Sequence, residues 1–177
     1  LEKSRQAGVE RIITVAVAPG NLNRVMELTR YSPAIWGSQG IHPHEAESYN
    51  REIDETIRAN AADARILAVG EIGLDYYYDH ADRSVQRLAF EQQLQTATEL
   101  DLPVIIHTRD ADADTRDILG NYSASLSRKG VIHSFTSSME LAEFCLAEGF
   151  MLGFNGIITF NRAENVRQVV AATPVEQ

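Results

Sequence analysis

Residues Pro103-Val104-Ile105-Ile106-His107-Thr108-Arg109-Asp110 decide the fold. Three consecutive β-branched residues behind a proline read as a strand covered on both faces, the condition of a parallel sheet flanked by helices. The run ends abruptly in histidine, arginine and aspartate, so an apolar strand hands over to chemistry at its carboxyl end. The same handover recurs on either side. Upstream, Gly40-Ile41-His42-Pro43-His44 closes one apolar run, and Ile66-Leu67-Ala68-Val69 leads into Gly70-Glu71-Ile72-Gly73-Leu74-Asp75-Tyr76. Downstream, Val131-Ile132 leads into His133-Ser134-Phe135.

Segments of helical period separate these runs, which is the alternation of βα units. Six units are expected, with strands at Arg11–Val17, Ala34–Gly40, Ile66–Glu71, Val104–His107, Val131–His133 and Phe150–Phe154. Helices are expected at Asn21–Tyr31, Arg51–Asn60, Arg83–Leu100, Asp112–Leu119, Ser138–Glu148 and Ala163–Ala171, with Asn21 and Ser138 as caps. Leu1 to Gly8 reads as the tail of a further helix, which marks the chain as a piece of a longer one. No Gly-x-Gly-x-x-Gly follows any strand, so a dinucleotide-binding, doubly wound sheet loses ground to a barrel. The 177 residues make one domain.

Twenty-five acidic against 16 basic residues give a net charge of −9, which excludes passive binding to nucleic acid or to an anionic membrane surface. An anionic substrate therefore needs a local cation. No run approaches the length of a membrane span, and the single cysteine, Cys145, falls in a helical apolar rhythm as buried filler. A reducing, cytoplasmic setting is expected.

The chemistry gathers where the strands end. His107, His133 and Glu71 close three different apolar strands, so their side chains can converge, and two imidazoles with a carboxylate suit Zn²⁺, Mn²⁺ or Co²⁺, with Mg²⁺ admissible. His42 and His44 are expected to contact phosphate or metal, or to rim the pocket through structural hydrogen bonds. Asp75 can orient an imidazole ligand and Tyr76 can stack on a base, unless both simply anchor their loop. Arg109 is placed to recognise phosphate, with Asp110 fixing its fork or forming a plain surface pair. Asn155 and Gly156 offer an amide and a close backbone approach at the same rim. His80 reads as surface, and Tyr76-Tyr77-Tyr78 as part stacking platform, part packing.

In these motifs, and in Phe154-Asn155-Gly156-Ile157-Ile158-Thr159-Phe160, the chain resembles the TatD family of metal-dependent deoxyribonucleases, within the amidohydrolase-like barrel hydrolases. The resemblance implies a (βα)8 TIM barrel of the metal-dependent hydrolase type, with this chain covering about six central units and lacking the first and last strands. It implies metal and catalytic roles for Glu71, His107 and His133. It places a further His-x-His ligand pair before Leu1 and an aspartate after Gln177, and two open strand edges follow. The expected activity is hydrolysis of DNA phosphodiester bonds, at single-stranded or frayed ends, by water activated on one or two divalent ions (Mg²⁺, Mn²⁺ or Zn²⁺). His42, His44, Arg109, Asp75, Tyr76 and Asn155 are the expected substrate contacts, DNA is the partner, and the complete protein is a monomer. Two rivals stand beside it: a metal hydrolase of small amides, esters or lactones on the same barrel, and an inactive fragment.

Overall fold

In a computed structural model, which describes residues 1–177, the chain forms six successive βα units. A short helix α1 (Glu2–Gln6) precedes β1 (Ile12–Val15) and α2 (Pro19–Tyr31). Then come β2 (Ile35–Gln39), a 3-10 turn over Pro43–Ser48, α3 (Arg51–Ala61), β3 (Ile66–Asp75) and α4 (Arg83–Glu99). The second half holds β4 (Val104–Arg109), α5 (Asp112–Tyr122), β5 (Gly130–Ile132), α6 (Met139–Ala147), β6 (Met151–Leu152) and α7 (Glu164–Ala172).

All five strand pairings are parallel, in the order β1-β2-β3-β4-β5-β6. An order that never reverses has no switch point, so crossovers of one hand stack every helix on the same face, as in a barrel wall. The sheet is open, with β1 and β6 at its edges. Ile13 and Met151 on these edge strands are 50% and 54% exposed. The β6 edge is met at one point, where the Leu152 N–H donates to the Gln177 carbonyl at 2.9 Å.

Period two sorts each strand between the two faces. On β4, Val104 and Ile106 enter the main core with Phe90 and Leu94 of α4, Ile118 and Leu119 of α5, and Leu141 and Cys145 of α6. His107 and Arg109 alternate with them and take the other face. A smaller core joins Ile66 and Ile41 to Leu22 and Val25 of α2 and Ile57 of α3. Cys145 is wholly buried, and burial pushes its thiol up to about 12.

Several boundaries differ from expectation. β3 runs four residues further, to Asp75, because Gly73, Leu74 and Asp75 continue the ladder with β4. β6 shrinks to two residues, and β5 stops at Ile132, one residue short of His133. Asn21 does not cap α2, which begins at Pro19 behind Ala18, where the ring already sets the helical φ. Ser138 does cap α6, and Asn50 caps α3 through the Ile53 N–H. No helix is long and apolar enough to cross a membrane.

Candidate metal centre

Glu71 owes its place to a bulge. Gly70 pairs with Ile105 and Ile72 with Ile106, so Glu71 is the extra residue of β3 against β4. A bulge re-aims one side chain while the ladder continues on either side. Glycine permits the close approach. Gly73 has φ +136°, and a Cβ there would stand 1.9 Å from the His107 carbonyl oxygen. The Glu71 N–H donates at 3.1 Å to Ala16, just beyond β1, which ties the bulge to a second strand end.

His107, one strand over, meets this carboxylate. Its Nδ1 lies 3.3 Å from Oε1 of Glu71, and its Nε2 lies 2.9 Å from Oδ2 of Asp75. The imidazole is thus held between two acids. Burial alone would lower its pKa, yet the hydrogen bonds to Glu71 and Asp75 outweigh burial and raise it. Burial pushes the other way on Glu71, but the His107 bond and the charges of His42, His107 and His133 bring its carboxyl below the usual range.

His42 joins them from the loop after β2. Extended backbone at His42 starts the 3-10 turn, and its Nδ1 accepts the His44 N–H at 3.2 Å. The rings of His42 and His107 come within 4.5 Å, centroid to centroid. His42, Glu71 and His107 each bring one ligating atom to within 4.8 Å of the others. Burial, then the neighbouring His107, pushes His42 down to about 4. With Nδ1 occupied as an acceptor, Nε2 is the His42 atom left to meet an ion or, as an N–H, an anion.

Asp75 is fully buried. Its Oδ2 also lies 3.0 Å from Nε2 of His44, and its Oδ1 accepts the Tyr77 and Tyr78 N–H groups at 3.1 and 2.8 Å. These bonds outweigh burial and lower its pKa. With both oxygens taken it has no face for phosphate, and it fills both of its other expected roles, Oδ2 meeting the imidazoles and Oδ1 anchoring the loop. Its engagement leaves Nδ1, on the Glu71 side, as the His107 atom available to an ion, the geometry that a carboxylate–histidine–metal arrangement requires. The donor set therefore fits a divalent ion.

Two residues that sequence reasoning missed hold this arrangement from behind. Gln86 and Gln93 stand seven residues apart on one face of α4, both buried. Gln86 accepts the Asp75 N–H at 2.8 Å and donates to its carbonyl at 3.2 Å. Gln93 does the same for Ile41, at 2.8 and 3.1 Å, and so fixes the residue before His42.

The other expected residues divide. His133 is exposed and lies outside the close group of three; its Nε2 is 3.1 Å from Oγ of Ser134, and its charge bears on Glu71. Asn155 donates to that same Ser134 Oγ at 2.8 Å and caps the turn Gly156–Thr159 through the Ile157 N–H, so both ends of its amide are in structural use. Tyr76 turns away from the cleft, its hydroxyl on Asp114 and the Arg83 guanidinium 4.4 Å from its ring centroid. Tyr77 and Tyr78 are the exposed pair, and Arg109 lies 3.9 and 4.8 Å from their ring centroids. No carboxylate pairs with Arg109, so aromatic rings rather than Asp110 hold its guanidinium. His80 is exposed as expected, but the turn at Asp79 folds it back to 4.6 Å from the His44 ring. A cleft of about 460 Å³ opens beside the centre, lined by Tyr77, His107, Arg109, His133, Ile157 and Phe160 among others.

Parallel strands in sequential order, with imidazoles and a carboxylate gathered at their carboxyl edge, define a barrel-type metal-dependent hydrolase. The chain belongs to the family described as TatD related DNase, whose model matches residues 1–177. It is 34% identical over 174 residues to the metal-dependent hydrolase YabD of Bacillus subtilis, covering 98% of this chain and 68% of that protein. It is 32% identical over 179 residues to the 3'-5' ssDNA/RNA exonuclease TatD of Erwinia tasmaniensis, covering 100% of this chain and 69% of that one. The crystal structure of YjjV, a TatD homologue from Escherichia coli K12, superposes with a TM-score of 0.91 at 34% identity, over 98% of this chain and 67% of that one. The chain thus spans about two thirds of the length of these relatives.

Proposed function

We propose that the protein hydrolyses DNA phosphodiester bonds, trimming single-stranded or frayed ends, with one or two divalent ions as cofactor. One observation carries this reading: His42, Glu71 and His107 meet within 4.8 Å at the strand ends of a chain from the TatD-related family. Imidazole and carboxylate donors suit Zn²⁺ or Mn²⁺ and admit Mg²⁺. Such an ion, when bound, supplies Lewis acidity and a water ionised near neutral pH.

The chain's own groups then take distinct parts. Glu71, Nδ1 of His107 and His133 would hold the ion as protein ligands. Asp75 keeps the His107 proton on Nε2 and the ring in register. His42 and Arg109 donate to nonbridging phosphate oxygens, with His44 on the same rim. The cations supply the positive potential that a chain of net charge −9 lacks. DNA as partner, a monomeric state and a cytoplasmic setting belong to the same proposal.

The test is release of nucleotides from an end-labelled single strand in Mn²⁺, Mg²⁺ or Zn²⁺, beside hydrolysis of a cyclic amide. Release should require metal and fall on the order of 100-fold or more in Glu71→Ala, the scale of losing one charge-stabilising group. Unchanged release in that variant overturns the assignment of Glu71. Turnover of the amide without any nucleotide release overturns the substrate class.

A further inference from the structure

Beside the imidazoles the cleft carries two unlike surfaces. One comes from the end of β3 and the end of β4, where Arg109 lies against Tyr77 and Tyr78. The other comes from the turn after β6, where Ile157 and Phe160 line the same cleft and Phe160 is 62% exposed. The same cleft is lined by His107 of β4 and by His133 just after β5. Phe160 has no aromatic neighbour, whereas the cleft's other aromatic ring, Tyr77, is engaged by both Tyr78 and Arg109. An exposed ring facing a cleft offers a flat apolar face on which a planar group can stack.

A nucleotide is the ligand whose parts match these surfaces. It has a flat apolar ring at one end and a multiply charged anion at the other, joined by a sugar. Aromatic side chains and guanidinium planes both stack on bases, whichever base is present. Arg109 serves at the junction: its guanidinium carbon lies 3.9 Å from the Tyr77 ring centroid, and no carboxylate pairs with it.

We infer that the cleft is a base slot. The nucleobase next to the scissile phosphate stacks on Phe160 and Ile157, while the Tyr77-backed Arg109 bridges base and phosphate. This rests on the nuclease reading and deepens it, since the slot requires an unpaired base: a base inside a duplex has both faces covered and cannot enter. Selection of single-stranded ends then follows from one exposed phenylalanine rather than from a basic surface.

The experiment measures binding with Mg²⁺ present, on strands whose phosphorothioate linkages resist hydrolysis, so that the positive charge the chain lacks is supplied and no turnover complicates the equilibrium. Short single strands carry 2-aminopurine at the 3' or the 5' end, and matched strands are abasic at the same position. The base-bearing strand should bind roughly 5- to 100-fold more tightly than its abasic match, the scale of one stacked base, with 2-aminopurine fluorescence quenched. Phe160→Leu should abolish both the preference and the quenching, and Phe160→Trp should restore them, while unfolding temperatures stay alike at so exposed a position. Arg109→Ala should weaken base-bearing and abasic strands together. Equal binding of base-bearing and abasic strands, without quenching, overturns the slot and leaves the nuclease reading standing. No binding of either strand overturns both.

Discussion

The carboxylate of Asp75, with no surface open to solvent, lies 2.9 Å from Nε2 of His107. An anion placed there sets the tautomer of the ring and turns Nδ1 toward Glu71, so ligand geometry depends on a residue that no substrate can reach. Asp75→Asn keeps the shape and removes the charge. Metal affinity, followed by titration with Zn²⁺ or Mn²⁺ in a calorimeter, should fall about 10- to 100-fold, the usual effect of removing such a partner. Affinity equal to that of the unsubstituted chain would show that His107 needs no orienting.

Gly73 separates two roles that a glycine in a strand can have. A Cβ at this position collides with the His107 carbonyl, and φ +136° is closed to other residues whatever the space. Gly73→Ala should therefore destabilise the chain by more than about 1 kcal/mol in urea, and weaken metal binding as β3 and β4 separate. Gly20, inside α2 with open space around its Cβ position, is the control, and Gly20→Ala should leave metal binding unchanged and raise stability by no more than about 1 kcal/mol.

Most of the fold could be read in the chain because its signals are local. An apolar run ending in histidine announces a buried strand and a functional edge, and His107 is where that reading places it. What stayed hidden depends on register. Nothing in Gly70-Glu71-Ile72 tells which residue will lack a partner on β4, so the bulge that aims Glu71 appears only once the strands are paired. Tyr76, Tyr77 and Tyr78 are equivalent as letters, yet the end of β3 turns the first into packing, the second into the cleft and the third against His44 and His80. Gln86 and Gln93 carry no signal either, since glutamine on a helix is ordinarily exposed. His42 was expected at phosphate or metal without a choice between them, and it stands beside Glu71 and His107, brought there by the turn that Pro43 begins.

Acid should weaken the metal-free chain in two separable steps. His42 is pushed from its ordinary 6.5 to about 4 by burial and by His107, so between these values the unfolded chain binds a proton that the folded chain refuses. Stability therefore falls as pH drops from about 6.5 toward 4, by at most about 3 kcal/mol. His107 acts in the opposite sense and elsewhere: its raised pKa adds stability that is complete below 6.5 and is lost above it. Lowered carboxyls such as Asp75 add a further loss only through the carboxylate range. Urea midpoints in EDTA across pH 4 to 7 should show the first slope, and His42→Gln should flatten it. A slope that persists in the variant would assign it to another group.

Gln93 offers the sharpest test of how the fold carries its site. Its amide forms two hydrogen bonds with the backbone of Ile41, in place of a neighbouring strand, at a point where neither partner meets water. Gln93→Met keeps the length and the burial but removes both bonds. The N–H and the carbonyl of Ile41 are then left unpaired, at about 1–3 kcal/mol each, unless the loop moves to recover them. Movement would carry His42 with it. The variant should thus lose either stability or the close approach of His42 to His107, and the two are distinguished by the pH slope described above. A strongly lowered urea midpoint with the His42 slope intact means the loop held its place. A small change in midpoint with the slope gone means it moved. Gln86→Met acts at Asp75 instead, and should lower metal affinity as Asp75→Asn does while the His42 slope stays.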